Sequence, residues 1–164
     1  MAKPGLTNAQ RHILFAAVRK AAAELGEASS EAYRKRVMAE ELGVEHLSDI
    51  SRSWGFDRIM ARFSSDGGDF DRALSYSLAA VGRYRSVIMR TAQEILSYSP
   101  ATKTRPVDYV AGIMLQSRMI KDASPLYVSR LESDSGWLDF TVPQLKSLLA
   151  ILSTHLRKLK RESS

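Results

Sequence analysis

Clusters of lysine and arginine are the residues of this chain whose chemistry is most distinctive. Cationic side chains displace counterions from nucleic-acid phosphates, so such clusters favour sequence-independent binding that weakens with salt. For each single cluster the competing interpretation is a solvated helix face, and cations at a helix C-terminus also complement the helix dipole. The clusters are Arg34-Lys35-Arg36, Arg83-Tyr84-Arg85 with Arg90, Lys103 with Arg105, and Arg157-Lys158 with Lys160-Arg161.

The composition of the whole chain agrees with an anionic partner. The 164 residues include 24 lysines and arginines against 18 acidic residues, which gives a formal net charge of +6. Hydrophobic residues make up 45% of the chain, as is typical of a folded soluble domain, so wholesale disorder is not expected. A basic folded domain favours an acidic partner such as nucleic acid.

Residue arrangements that catalyse reactions or bind metals are not found in the sequence. The chain has no cysteine, which excludes disulfides, zinc–thiolate sites and cysteine nucleophiles. His12, His46 and His155 have no second histidine or carboxylate at metal-ligand spacing. No Gly-x-Ser-x-Gly elbow occurs, and Gly67-Gly68 lacks the downstream Gly-Lys-Ser/Thr of a phosphate loop. We therefore expect no enzyme activity, no cofactor and no metal.

Membrane and secretion signals are also missing from the sequence. The first five residues are not followed by the apolar segment of a signal peptide, and no apolar run is long enough to span a bilayer. The lack of cysteine is compatible with a reducing compartment. We expect a cytoplasmic protein without a membrane partner.

Apolar residues recur with helical periodicity along the chain, and no segment alternates with period two. Capping residues, prolines and glycines divide this pattern into seven predicted helices. The first is capped by Thr7 and stopped by Gly26, and the second runs from a Ser30 cap to Gly43. The others are a third from about Ser48, a long fourth from Phe70 to Ser97, a fifth from Pro106, a sixth from Ser124-Pro125 to Gly136, and a seventh capped by Thr141.

These elements predict an all-α fold of about seven helices, with two three-helix units joined by a long central helix. The N-terminal helical unit is expected over residues 7–63 and the C-terminal one over residues 106–161. The connecting helix is expected over residues 70–98.

A weak internal repeat accompanies this division. The first copy reads Glu27-Ala28-Ser29, Tyr33, Arg36, Gly43 and Leu47-Ser48, and the second reads Asp122-Ala123-Ser124, Tyr127, Arg130, Gly136 and Phe140-Thr141. Because helix, glycine and cap form a common pattern, true duplication and coincidence both remain open.

Residues 37–54 resemble a helix-turn-helix. Ala39 is small enough to pack between two helices, Gly43 permits the turn, and a helix starting near Ser48 would present Arg52 to a major groove. The stretch from Gly43 to Ile50 is one residue longer than the tight form of that turn. The alternative is a simple helical corner with Ile50 in the core.

Short motifs in both halves of the chain match a known protein family. They are Val18-Arg19-Lys20, Leu25-Gly26, Glu31-Ala32-Tyr33-Arg34, Gly43, Leu47-Ser48, Ser124 to Arg130, Gly136-Trp137-Leu138, and Thr141 to Leu145 leading into Leu148-Leu149. Over roughly residues 7–63 and 107–161 the sequence therefore resembles the GemA regulatory-protein family of Mu-like bacteriophages. This resemblance implies a small, helical, non-enzymatic protein of the bacterial host cell, associated with phage control of host gene expression and DNA topology. The long helix and Gly43-Val44-Glu45 depart from the family pattern.

Our leading hypothesis is a phage or prophage regulatory protein that associates with duplex DNA through basic helical surfaces. The side chains expected to contact phosphates or bases are Arg34, Lys35, Arg52, Arg83 and Arg85.

Two alternatives follow from other side chains. A protein-binding adaptor or inhibitor of a host enzyme would use aromatic anchors at Tyr76, Tyr84, Tyr98 and Trp137. An oligomer would form through the long helix, if its apolar stripe is wider than one copy can cover.

Overall fold

The computed structural model describes residues 5–164, and every regular element among them is helical. Three helices are followed by one of 28 residues and then by three more, which confirms the all-α prediction with its long central helix. The helices are α1 (Asn8–Leu25), α2 (Ser30–Leu42), α3 (Trp54–Asp66), α4 (Phe70–Ser97), α5 (Pro106–Gln116), α6 (Pro125–Arg130) and α7 (Val142–Glu162).

The chain divides into two compact units, the first ending at Arg83 and the second beginning at Tyr84. The division falls inside α4, so the long helix contributes its first part to one unit and its remainder to the other. α4 therefore runs from the first unit into the second, and it ends one residue before the end of the range 70–98 expected from the sequence.

Local capping interactions set both ends of α1. The Thr7 hydroxyl accepts from the backbone N–H of Gln10 at 3.1 Å, and the Gln10 side chain accepts from the Thr7 N–H at 3.1 Å. Gly26 ends the helix with φ at 68°, in the left-handed region where glycine is not strained. Both ends were predicted from the sequence and are confirmed.

The core of the first unit is built by one buried face from each of α1, α2 and α3. Removal of these side chains from water is the main stabilising contribution to the packing of the three helices. The buried side chains include Leu14, Val18 and Ala21 of α1, Tyr33, Val37 and Met38 of α2, and Ile59, Met60 and Phe63 of α3.

The connection between α2 and α3 differs from the prediction. The cap of α2 is Ser29, one residue before the predicted Ser30. A single 3-10 turn at Leu47–Asp49 follows, and α3 starts at Trp54 instead of near Ser48. The reason is Ile50, which is buried in the core with an extended backbone (φ −82°, ψ 123°), so the chain cannot continue as a helix there.

The helix-turn-helix predicted at residues 37–54 is therefore wrong in its second helix. The range holds the end of α2, a non-helical connection with one 3-10 turn, and only the first residue of α3. Arg52 lies in that connection and not on a recognition helix. The alternative of a corner with Ile50 in the core describes this segment.

The second unit contains α5, α6, a 3-10 turn at Asp134–Trp137 and α7. Thr141 and Gln144 form the predicted capping box at the start of α7. Trp137 is fully buried, and its indole N–H donates to the Leu131 carbonyl at 2.9 Å. The other large buried side chains of this unit include Tyr84, Ile88, Val110, Met114, Leu131, Leu145, Leu148 and Leu152.

The sixth helix is shorter than predicted. It ends at Arg130 and not at Gly136, which lies inside the 3-10 turn. The cause is tertiary, because the Leu131 side chain is buried and its carbonyl accepts from the Trp137 indole and from Arg85.

Apart from α4, which contributes to both, the two units have the same order of elements: helix, helix, 3-10 turn, helix. The repeated serines Ser29 and Ser124 are the N-caps of the second helix in each set. The tyrosine and arginine of each copy lie on that second helix, but the later residues of the repeat do not correspond. Gly43 ends α2, whereas Gly136 lies inside a 3-10 turn. Leu47-Ser48 lie in a 3-10 turn, whereas Thr141 caps α7.

Candidate nucleic-acid interface

A basic groove runs between α1 and the first turn of α2, and we call it the α1–α2 groove. Its volume is about 240 Å³. Leu14 and Val18 of α1 are buried in the core, whereas Phe15 and Arg34 are half-buried and Arg19 is exposed. The groove is lined by Phe15, Val18, Arg19, Ser30, Glu31 and Arg34.

The groove combines two arginines with an aromatic ring. The Arg34 guanidinium lies over the Phe15 ring, 5.2 Å from its centroid, which is a cation–π distance. Phe15 and Arg19 are four residues apart on α1 and so share one helix face. Among residues 5–164, neither Arg19 nor Arg34 has a carboxylate partner within ion-pair distance.

The charge of the groove is positive after its one acidic residue is counted. Glu31 forms an ion pair with Lys35 at 3.1 Å, so the lysine offsets this carboxylate. The groove also adjoins the N-terminus of α2, where unpaired backbone N–H groups carry the positive end of the helix dipole. The arrangement is suited to holding an anion near Arg19 and Arg34.

Lys35 and Arg52 lie on the same unit and both make local contacts. Lys35 is exposed beside the groove and paired with Glu31. Arg52 is exposed, but its Nε donates to the Gly5 carbonyl at 2.6 Å, and its own carbonyl accepts from Gln10 at 2.8 Å. Arg52 therefore ties the start of the described chain to the connection before α3.

Arg83 makes an ion pair within the first unit. Its guanidinium donates to the carboxylate of Asp57 on α3. The Asp57 side chain is only 8% exposed, whereas that of Arg83 is 46% exposed. Burial raises the pKa of Asp57, and the positive charge of Arg83 opposes that rise. Arg83 thus compensates a buried charge on its own chain.

Arg85 makes several hydrogen bonds within the second unit. Its Nε donates to the Leu131 carbonyl at 3.2 Å, Nη1 contacts Asp134 at 3.3 Å, and Nη2 donates to the Glu132 carbonyl. These contacts hold the chain that leaves α6 against α4. Of the five residues expected to contact DNA, only Arg34 lines the α1–α2 groove, and Lys35 is paired with Glu31 beside it.

Arg19 and Phe15 were not among the site residues expected from the sequence. The available signal was the spacing Arg11, Phe15, Arg19, which places two cations and an aromatic ring on one face of α1. The predicted clusters were runs of adjacent cations, and adjacent residues on a helix point in different directions. Residues four positions apart on a helix share a face, so this spacing predicts the cationic face of α1.

Net charge is unevenly divided between the two units. The first unit has 12 lysines and arginines against 11 acidic residues, and the second has 12 against 7. In the second unit the exposed cations Arg157, Lys158 and Arg161 lie near the C-terminus of α7, where they complement the helix dipole. Lys160 of the same helix pairs with Glu94 at 3.1 Å.

Two of the four aromatic residues expected as protein-binding anchors lie in the core. Tyr84 and Trp137 are fully buried, so this part of the expectation is wrong. Tyr76 is half-buried and packs edge-on against Phe56, while Tyr98 is at the margin of exposure. Hydrophobic periodicity cannot tell a core aromatic from an exposed one, because both lie on apolar faces.

The densest group of charges in the first unit surrounds Arg62. This guanidinium contacts Glu41 and Asp66 at 2.9 Å and Glu40 at 3.2 Å. The Tyr33 hydroxyl donates to Asp66, and burial followed by this hydrogen bond raises the pKa of the tyrosine. These carboxylates are thus occupied by an arginine, and no group of three or more potential metal ligands occurs within residues 5–164.

No helix in the described part of the chain is both long and apolar enough to cross a membrane. Comparison with known proteins found no matching family model, no matching curated protein and no matching solved structure.

Proposed function

We propose that this chain is a non-enzymatic regulatory protein that associates with duplex DNA through the α1–α2 groove. Arg19 and Arg34 hold backbone phosphates, Arg11 extends the contact along α1, and Lys35 offsets the charge of Glu31. The observation that carries the proposal is a pair of arginines at the groove that have no carboxylate partner in the described part of the chain, one of them held over Phe15. The resemblance to the GemA family supports a role in phage control of host genes.

The groove favours phosphate contact over base reading. Its cations project from two helix surfaces, and the segment at residues 37–54 presents no second helix for a major groove. We therefore expect binding with little dependence on base sequence. Arg52, Arg83 and Arg85 contribute through the folded structure, since each is engaged with carbonyls or carboxylates of the chain.

Fluorescence anisotropy with a labelled duplex, measured across a salt series, tests this proposal. Each phosphate contact contributes about 0.9 to the slope of log affinity against log salt concentration. The double variant Arg19→Ala/Arg34→Ala should therefore weaken binding and lower the slope by about 2.

Arg72→Ala is the matched control for loss of charge. Arg72 is exposed on α4 in the same unit, and among the described residues it has no carboxylate partner. We expect this variant to bind as the wild type does. Wild-type protein that fails to bind duplex DNA at low salt, or equal effects of the groove and control variants, would contradict the proposal.

A protein-binding adaptor or inhibitor is the second candidate, and exposed apolar side chains on α4 favour it. Phe70 is 70% exposed and Leu74 is 52% exposed, and their four-residue spacing puts them on one helix face with Leu78. Exposed apolar groups on one face are typical of surfaces that bind another protein.

The variant Phe70→Ser/Leu74→Ser separates this candidate from DNA association. A nuclease-treated pull-down from host lysate should lose the partner with this variant and keep it with Arg19→Ala/Arg34→Ala. Retention by both variants would exclude the α4 face as the contact. Light scattering on the wild type and the serine variant then distinguishes a host protein from a second copy of the chain.

A further inference from the structure

A cleft beside α6 in the second unit is lined by an arginine and an aspartate whose side chains have no ion-pair partner among residues 5–164. We call it the α6 cleft, and its volume is about 270 Å³. It lies outside the α1–α2 groove, and none of the five predicted DNA contacts lines it. Its lining residues are Tyr127, Arg130, Ser133, Ser135, Gly136 and Asp139.

The internal repeat shows what is unusual about this cleft. In the first unit, the Tyr33 hydroxyl donates to Asp66 at 2.5 Å and Arg36 pairs with Glu27 at 2.5 Å. Tyr127 and Arg130 have the same spacing in the second unit, but neither has a hydrogen bond or ion pair from its side chain within residues 5–164. The same pair of residue types is satisfied internally in one unit and open in the other.

Asp139 is the second open group. Its carboxylate has no hydrogen bond or ion pair to any described residue, and it does not pair with Arg130 although both line the cleft. Burial, and after it the negative charge of Asp139, raise the pKa of the Tyr127 hydroxyl. The phenol therefore remains a hydrogen-bond donor at neutral pH. A ligand in the cleft is offered donors by Tyr127 and Arg130 and an acceptor by Asp139.

The wall of the cleft is held by close backbone packing. A Cβ added to Gly136 would lie 1.8 Å from the Arg130 carbonyl oxygen, so only glycine allows this approach. The Ser133 and Ser135 hydroxyls lie 3.1 Å apart on the same turn. The cleft is thus formed by a tight turn that requires glycine, and the serines add further hydroxyl groups to its lining.

We propose that the α6 cleft binds a ribose phosphate. Phosphate oxygens accept from Arg130 and Tyr127, and a sugar hydroxyl donates to Asp139. An anion alone would leave the carboxylate without a donor and would be repelled by it, so a hydroxyl near the phosphate is needed. In RNA and ribonucleotides the ribose 2′-hydroxyl can supply this donor, and DNA lacks it. The ligand of the α6 cleft therefore differs from the duplex DNA proposed for the α1–α2 groove. The source is either a free nucleotide or RNA.

Calorimetric titration with ribose 5-phosphate and 2-deoxyribose 5-phosphate tests the proposal. Wild-type protein should bind the ribose form about tenfold more tightly, as expected for one hydrogen bond. Arg130→Ala should abolish binding of both ligands. Asp139→Asn should reduce the preference for ribose, because an amide is a weaker acceptor than a carboxylate.

Arg90→Ala is the control for charge, since Arg90 is exposed in the same unit and has no ion-pair partner among the described residues. It should bind as the wild type does. No binding of ribose 5-phosphate by the wild type at millimolar concentration, or unchanged binding by Arg130→Ala, would overturn the proposal. Competition by single-stranded RNA identifies RNA as the source, and lack of competition identifies the free nucleotide. Arg19→Ala/Arg34→Ala should leave these titrations unchanged.

Discussion

At the scale of single residues, the arginines of this chain divide into those that neutralise its own polar groups and those left to solvent. Arg62, Arg83 and Arg85 face carboxylates or carbonyls of the same unit. Arg19 and Arg34 do not pair with any described carboxylate. If a cation that contacts a buried carboxylate moved to a phosphate, the carboxylate would be left buried and without a partner, which is unfavourable.

Replacement of Arg83 tests this division. We expect Arg83→Ala to lower the free energy of unfolding by about 1–3 kcal/mol at pH 7, because Asp57 stays buried and loses its partner. This loss is smaller than for a fully buried ion pair, since Arg83 is half-exposed and solvent screens its charge. Urea unfolding followed by circular dichroism measures the change. Arg72→Ala, on the same helix, should change it by less than about 0.5 kcal/mol.

The pH dependence of the same variant has a definite sign. Burial already raises the folded-state pKa of Asp57, and loss of Arg83 raises it further. The folded protein then takes up a proton more readily than the unfolded chain, so the penalty is complete above the folded pKa and disappears as pH falls through it. The difference between variant and wild type should therefore shrink from pH 7 toward pH 4. An equal difference at both pH values would assign the loss to packing.

Gly136 provides a second prediction at the residue scale. Gly136→Ala should destabilise the protein by more than about 2 kcal/mol, because its Cβ would overlap the Arg130 carbonyl. Gly112→Ala is the control, since a Cβ at that helical position meets nothing within 4 Å. The control should be neutral or stabilising by up to about 1 kcal/mol. Thermal unfolding measures the melting temperature of both variants. Equal melting temperatures for Gly136→Ala and Gly112→Ala would refute the steric argument.

At the scale of elements, the ends of the longer helices depend on interactions with residues three or four positions away. Thr7 and Thr141 each form a capping box with a glutamine, and Gly26 and Gly43 end their helices with positive φ. Such contacts form whenever the local chain is helical, so they define helix ends independently of the rest of the fold.

Substitution of the α7 cap checks the contribution of one such interaction. Thr141→Ala should lower the free energy of unfolding by about 1 kcal/mol, because the Gln144 N–H loses its acceptor. Thr154→Ala is the comparison within the same helix, where the hydroxyl only donates back to the Ala150 carbonyl. It should have little effect or a slightly stabilising one. A larger loss from Thr154→Ala would contradict the capping argument.

At the scale of the whole molecule, each unit has a hydrophobic core that can be described without the other. The core that joins α1, α2 and α3 involves only residues up to Tyr76, and the first unit continues to Arg83. Net charge is concentrated in the second unit, whereas the α1–α2 groove lies in the first.

A fragment of residues 1–83 should therefore fold by itself. We expect a helical circular-dichroism spectrum and a cooperative thermal transition, because the buried side chains of its three-helix core are all present. If the fragment is folded, it should also show the Arg19 and Arg34 dependence of DNA binding. A fragment with no cooperative transition would show that its core is insufficient alone.

The sequence by itself determined the helical class, the extent of α4, and the caps of α1 and α7. These features depend on periodicity and on contacts within one or two helical turns, which the order of residues contains directly. The same local reasoning misplaced the starts of α2 and α3 and the end of α6. The larger errors arose where Ile50 and Leu131 enter the core, because burial overrides local helical preference.

Only the tertiary structure decided which charged side chains are available. Arg83 reaches Asp57 across 26 positions and Arg85 reaches Leu131 across 46, whereas Arg34 meets Phe15 instead of a carboxylate. Such pairings depend on which helix faces pack together. The order of neighbouring residues does not determine this packing. The clusters in the sequence therefore indicated a cationic protein, and helix packing left Arg19, Arg34 and Arg130 without carboxylate partners among residues 5–164.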